Sequence, residues 1–479
     1  MTLVFVSIVL AICVIGSALL VWRARGTGSV AVRRWLTAGG ALLASGGLAC
    51  VAVLSVQAAS GALVPASGSV GLGPDLNGFH ESVRGPAGES YTGGLVEGRY
   101  HGEGTLTYAD GSVYKGGFVK GERHGQGKLE SVEGWTYVGE WSGDRIDGRG
   151  RIAYSDGSTF DGAFAKGQRA GEGKATYADG ATYDGHWLGD VPDGEGMYNA
   201  ADGTRFSGLW ERGVAKGMAV VTMPTGAFYR GGWADGVPEG KGVYTSPEGW
   251  IYTGSFVGGR RDGPGVLEQK DDGSSYEGAW VRDVRSGQGK AVFADGSVYE
   301  GGWAADLKHG QGIYKDAAGW SYEGVWEAGQ RQGWGAWIGT DGSRYEGQWE
   351  ANVKSGRGQA WFKDGSVYNG RWRADLRNGA GSMAYADGSA YDGNWVDDAR
   401  QGNGLMKYKD GTTYSGNWVA GQKQGQGTQT YLDPQTKQHG TYTGSFVGGK
   451  RQGQGVYTYP NGYRLAGPWM DDSFTGEAK

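Results

Sequence analysis

Cysteine is nearly absent. Cys13 and Cys50 are its two occurrences, and both sit in apolar stretches near the N-terminus. Past residue 50 there is no material for a disulfide framework or a cysteine zinc site. Histidine is scarce too, with six residues, of which His101, His124 and His309 recur at one variable position of a repeat. That placement suits a surface role rather than catalysis. The sequence has no HExxH, no GxSxG between a strand and a helix, and no phosphate-binding Gly-Lys-Ser/Thr loop. An excess of charge is lacking as well: a net charge of −5 does not fit a general nucleic-acid binder.

Glycine is abundant instead, 97 of 479 residues, against a usual share of about 7%. Its spacing is not three, which excludes collagen. Aromatic residues make up 12% of the chain and recur in register, which argues against disorder.

Ahead of the repeats lie two uncharged runs. Leu3–Trp22 is long enough to cross a ~30 Å hydrocarbon core, and Trp35–Gly61 is a second candidate. Arg23, Arg25, Arg33 and Arg34 lie between them. Arginines in a short loop hold that loop in the cytoplasm. The expectation is a membrane anchor over 1–61, with transmembrane helices at about 3–22 and 35–59 and the body outside the cytoplasm, periplasmic in a Gram-negative cell. Alternatively the second run is a signal peptide cleaved near Val56-Gln57-Ala58; Gly47-Leu48-Ala49-Cys50 only half matches a lipoprotein box. Each version exports the body. Residues 62–90, small, polar and dotted with Gly and Pro, read as a flexible linker.

From Tyr91 the chain repeats every 23 residues, which means an array rather than a globule. The copy Tyr368–Ala390, YNGRWRADLRNGAGSMAYADGSA, shows the unit: Tyr at position 1, Gly at 3, Trp at 5, Gly at 12 and 14, Asp-Gly at 20–21. Sixteen copies start between Tyr91 and Tyr442, and a partial one starts at Leu465. Positions 1, 3 and 5 alternate as in a strand. Glycine at 3 gives the flanking rings room or lets another backbone approach. Asp-Gly marks a tight turn. Position 8 is Gly, Asp (Asp144, Asp190, Asp283, Asp306, Asp375, Asp398) or Asn352, the types that best accept a left-handed backbone. The predicted fold is all-β: an elongated, twisted antiparallel meander of about sixteen hairpins over 91–479, behind a two-helix transmembrane hairpin. One turn aspartate per copy is too sparse for shared calcium sites, so no metal and no cofactor is expected.

The pattern Tyr-x-Gly-x-Trp-x-x-Gly-x-x-x-Gly-x-Gly, intact at Tyr322–Gly335, resembles the MORN repeat (membrane occupation and recognition nexus). Ala219, in place of the second glycine of the sixth copy, and the frequent acid at position 8 depart from it. The resemblance implies an extended hairpin scaffold for proteins, sometimes proposed to bind phospholipids, and no enzyme.

Two rows of residues stand out as candidate surfaces. Position 10 is basic without a break in Arg261, Arg285, Lys308, Arg331, Lys354, Arg377, Arg400, Lys423 and Arg451. Stacked hairpins would set these about 9–10 Å apart, near the ~8 Å Debye length, as a stripe for an anionic polymer, lipid or acidic protein. The plainer alternative is pairing with neighbouring acids such as Glu277, Glu300, Glu323 and Glu346. The second row is an aromatic face comprising Trp303, Trp326, Trp334, Trp337, Trp349 and Trp372, joined by Trp135, Trp250 and Trp320 two residues before position 1. Packing accounts for it; an open groove would let it stack on sugars. The overall reading is a membrane-tethered, non-enzymatic scaffold that binds partner proteins. The alternative is a module for envelope glycan or anionic lipid. Nucleic acid is not expected, and open sheet ends leave room for homo-oligomers.

Overall fold

The computed structural model describes residues 77–476, apart from residue 86 and residues 434–436. The anchor expected over 1–61 lies outside the described residues. Within the expected linker, Gly78–Arg84 forms a strand that pairs with Ser90–Val96 and covers the first hairpin's edge.

The described residues are all strand and turn, without a helix. The chain divides into two units. One ends at Pro247 and includes Ser255–Arg260; the other comprises Glu248–Gly254 and the chain from Arg261 onward. In each, the strands pair antiparallel with their neighbours in sequence, as in Ser90–Val96 with Arg99–Thr107 and that strand with Val113–Val119, or in Ser321–Glu327 with Gln330–Ile338 and that strand with Arg344–Glu350.

Two kinds of turn alternate. Positions 7 and 8 form two-residue turns in which both residues are left-handed: φ is 47° and 73° at Ala351 and Asn352, and 56° and 63° at Gly143 and Asp144. That is the backbone that best suits the twist of a hairpin, so the residue preference at position 8 has a geometric cause. The Asp-Gly turn is longer. Gly111 N bonds Tyr108 O at 3.0 Å, Tyr108 N bonds Ser112 O at 2.8 Å, and Gly111 has φ 97°.

The two glycines of the Gly-x-Gly pair do different work. Gly333, at position 12, sits at φ 63° beside a bulge where the register jumps between Gly324 and Trp326. Gly335, at position 14, lies under the ring of Tyr322; a Cβ there would be 2.5 Å from Tyr322 Cζ. Gly324, at position 3, is pressed against the facing strand, with Gly335 Cα 2.5 Å from where its Cβ would be. Both reasons offered for a glycine between aromatics therefore hold at once. The five-residue insertion before Tyr442 extends a hairpin, pairing Leu432 with His439 and Tyr431 with Gly440.

Candidate functional site

Positions 1 and 5 build a ladder of edge-to-face rings. Tyr322 meets Trp326 at 5.2 Å and 88°, and Trp349 of the next copy at 5.4 Å and 87°. Tyr322 is fully buried and Trp349 nearly so. The polar ends are satisfied locally: Tyr322 Oη donates to Val325 O (3.1 Å), and Trp349 Nε1 donates to Gly335 O (3.2 Å). Burial raises the Tyr322 hydroxyl to about 12. Trp303, Trp326, Trp349 and Trp372 are all ladder members, 4–5% exposed, and so belong to packing rather than to an open platform.

Trp334 does not belong with them. It pairs with Gln348, lies out of phase with Gly335 and Trp337, and is 59% exposed on the opposite side of the sheet. Trp337 is on the ladder side, between Tyr322 and Tyr345 in register, and only partly covered. Trp250 and Trp320 are on that side too, 5.8 Å and 6.0 Å from the guanidinium groups of Arg261 and Arg331.

The basic row lies over the ladder. Each guanidinium stacks on the Trp at position 5 of the following copy: Arg261 on Trp280 (4.2 Å), Arg285 on Trp303 (4.3 Å), Arg331 on Trp349 (4.2 Å), Arg377 on Trp395 (4.4 Å), Arg400 on Trp418 (4.1 Å) and Arg451 on Trp469 (4.4 Å). Such contacts are worth about 0.5–2 kcal/mol. Most of these arginines also hold an aspartate at position 8 of the next copy: Arg261–Asp283 at 3.1 Å, Arg285–Asp306 at 2.9 Å, Arg377–Asp398 at 2.7 Å and Arg451–Asp472 at 3.3 Å. The acids at position 2, Glu277, Glu300 and Glu323, are exposed elsewhere on the surface, while Glu346 pairs with Arg344. The partners are thus the turn aspartates.

Five cations of the row, Lys308, Arg331, Lys354, Arg400 and Lys423, lack a side-chain carboxylate contact among the described residues. Lys308 Nζ sits 4.2 Å from the Tyr314 ring and 4.4 Å from that of Trp326. Lys423 donates to Gln429 Oε1 (2.6 Å), Arg400 to Gly421 O (2.8 Å), and Arg331 to Asn352 O (2.6 Å). Burial pushes the amines of Lys308 and Lys423 down to about 8 and lowers that of Lys354.

A signal for these pairs was present in the sequence. Arg123, Arg169, Arg261, Arg285, Arg331, Lys354, Arg377 and Arg451 are followed at the next position 8 by Asp144, Asp190, Asp283, Asp306, Asn352, Asp375, Asp398 and Asp472. Tyr100, Ile146, Pro192, Ala215 and Pro238 are followed by Gly121, Gly167, Gly213, Gly236 and Gly259, and three of the cations, Lys308, Arg400 and Lys423, are likewise followed by Gly329, Gly421 and Gly449. Among the described residues, no three His, Cys, Asp or Glu side chains converge as a metal site would require.

A family model described as MORN repeat matches fifteen segments, continuously over residues 91–205, then over 229–251, 252–274, from 276 through 433, and over 442–462. The copy at 206–228, which carries Ala219, is not among them. Comparison with curated proteins gives no match. Solved structures with some similarity include the SAS-4 (dCPAP) TCP domain of Drosophila melanogaster in complex with a proline-rich motif of Ana2. It is 14% identical, with a TM-score of 0.21, and the match covers 31% of this chain and 82% of that one. Another is the TCP10 domain of Danio rerio CPAP in complex with a STIL peptide, 14% identical, with a TM-score of 0.17 and coverage of 56% and 92%.

Proposed function

Because this chain belongs to the MORN-repeat family, whose arrays fit a scaffold or binding module, we propose that it is a membrane-tethered, non-enzymatic scaffold. In this reading it binds partner proteins on the sheet face opposite the aromatic ladder, outside the cytoplasm. Over most of its copies the ladder face is covered by its own rings and cations, whereas the opposite face presents its side chains to solvent.

One observation carries the reading. On that solvent face of the first unit, Met197, Leu209, Met218 and Val220 are 47%, 45%, 66% and 37% exposed. They are close neighbours: Met197 pairs with Ser207, and Ser207 with Val220. Contiguous exposed apolar surface marks an interaction site. Tethering and side rest on the apolar runs 3–22 and 35–59 and the four arginines between them.

A photo-crosslinking residue at Ser207, introduced in intact cells, tests the surface. Discrete protein adducts that vanish in Met218→Glu are expected; absence of adducts, or adducts unchanged by Met218→Glu, would overturn it. Protease added outside the membrane tests the side, since a C-terminal tag should be digested without lysis. Protection until lysis would move the search to cytoplasmic partners.

A further inference from the structure

Several cations of the ladder face are closed over by a ring at position 18 of the preceding copy. Phe293 lies 5.7 Å from Lys308 Nζ, Tyr408 5.4 Å from Lys423 Nζ, and Tyr431 5.1 Å from the Arg451 guanidinium. Before Arg331 and Lys354 the same position holds Asp316 and Gly339, and before Arg261 and Arg285 it holds Ser246 and Gln269. Those last two arginines are paired with Asp283 and Asp306, whereas Arg331 and Lys354 have neither that ring nor an ion pair among the described residues. Asp316 is bound within its own turn, to Ala318 N at 2.8 Å and Tyr314 Oη at 3.4 Å. Gly339 has an ordinary φ; what it provides is space. A Cβ there would come 2.6 Å from Trp337 Cη2, so the indole needs a glycine at this place.

An open cavity of about 340 Å³ results, lined by Trp320, Arg331, Trp337, Trp349, Lys354 and Asp375. That is the size of a small ligand site, at the low end of the usual range of about 300–1,000 Å³. Its charge is also out of step with the row. Asn352 stands where Asp neutralises Arg261, Arg285, Arg377 and Arg451, and Arg331 makes no ion pair among the described residues. Lys354 Nζ makes none either; only its backbone amide bonds Asp375 (2.9 Å). Two cations therefore face one carboxylate, beside two partly open indoles.

The occupant must bring an anionic group for the cations, an apolar flat face for the indoles, and donors for Asp375. A carboxylate matches the guanidinium fork. A pyranose offers a C–H face to an indole and hydroxyl donors to Asp375. A phosphodiester brings charge but no donor for that acid. We propose that this cavity binds an acidic sugar, a pyranose bearing a carboxylate, with its ring against Trp320 and Trp337 and its carboxylate on Arg331 and Lys354. The site uses none of the residues of the apolar patch, so it stands or falls independently of the protein-scaffold reading.

Calorimetric titration of the full-length protein in detergent with tri-galacturonate tests it. Saturable binding is expected, with no heat from a neutral oligosaccharide of the same length. The informative variant is Asn352→Asp, which installs the residue found at position 8 of seven other copies and so keeps the fold, while neutralising Arg331. It should weaken binding by about tenfold or more, as for loss of a charge-assisted bond. Lys354→Gln and Trp337→Leu should act in the same direction. Equal binding of the neutral sugar, or unchanged binding in Asn352→Asp, would overturn the proposal. So would capture by phosphatidylglycerol vesicles without any response to tri-galacturonate, which would assign the cavity to a lipid head group.

Discussion

Arg123 and Asp144 belong to adjacent hairpins and hold each other at three points. Asp144 Oδ1 accepts from the Arg123 amide (2.9 Å) and from its Nε (3.1 Å), and the Arg123 NH2 group donates to Asp144 O (2.8 Å). The guanidinium is 1% exposed and stacks 4.2 Å from the Trp141 ring. A turn residue chosen for its left-handed φ of 63° thus also neutralises a buried charge and ties one copy to the next.

Removing one partner should leave that charge uncompensated. Asp144→Gly keeps the turn, since glycine occupies this position in other copies, yet should cost about 3 kcal/mol, as for breaking a buried pair. Arg123→Ile combined with Asp144→Gly copies the native Ile146–Gly167 arrangement and should recover most of the loss. Hydrogen exchange of the Glu122–Glu130 strand amides measures both, because a repeat array need not unfold as one unit.

The cradle under position 1 makes an opposite prediction for two phenylalanines. Phe160 faces Gly173, and in the copy that begins at Phe206 the equivalent position 14 holds Ala219, buried at 3% exposure. Phe160→Tyr should gain the hydroxyl-to-carbonyl bond seen at Tyr137 (3.0 Å to Glu140 O) and leave stability unchanged or raise it by about 1 kcal/mol. Phe206→Tyr should drive its hydroxyl into the Ala219 methyl and cost about 1–3 kcal/mol by overpacking. Adding Ala219→Gly should rescue it. Thermal melts of the three variants decide this.

The two faces should respond differently to loss of an indole. Trp326→Ala empties a ladder site that is 4% exposed and should cost about 3–5 kcal/mol. Trp334→Gln alters an exposed side chain and should stay within about 0.5 kcal/mol of the parent. Denaturant titration followed at the hairpin of Ser321–Glu327 and Gln330–Ile338 would show the contrast.

Much of this was legible in residue types and spacing: the hairpins from the alternation at positions 1, 3 and 5, and the left-handed turn from the Gly/Asp/Asn choice at position 8. What escaped has physical causes. The cations look like a surface stripe in sequence because a charge suggests solvent, yet a flat guanidinium stacks on an indole and Arg261 is only 6% exposed. Where an aspartate stands at the position 8 that follows such an arginine, 21 or 22 residues on, it marks their pairing; Lys308, Arg400 and Lys423, followed by glycine, carry no such mark. By residue type Trp334 belongs with the ladder tryptophans, but the ladder-side residues of the second strand fall at positions 12, 14 and 16, as Gly333, Gly335 and Trp337 do, and Trp334 lies between the first two. The cavity depends on absent side chains, at Gly339 and Asp316, which no motif marks.

Buried lysines without a carboxylate partner should leave a signature in the pH dependence of stability. The amine of Lys308 is lowered from 10.5 to about 8, chiefly by burial and then by the nearby Arg331. Below pH 8 it is charged in both folded and unfolded chains, and the folded state carries the whole desolvation penalty. Between pH 8 and 10.5 the unfolded chain keeps a proton that the folded chain has released, so raising the pH favours folding. Above about pH 10 the ladder tyrosines oppose this. Tyr299 is raised from 10.0 to about 12 by burial, so the unfolded chain ionises first and stability falls. Lys308→Met removes the amine and leaves the tyrosines. Its melting temperature should exceed the parent's most at pH 7, and the gap should narrow steadily up to pH 9.5. A gap independent of pH over that range would mean that Lys308 keeps its charge against Tyr314 and Trp326, with the rings compensating for the lost water.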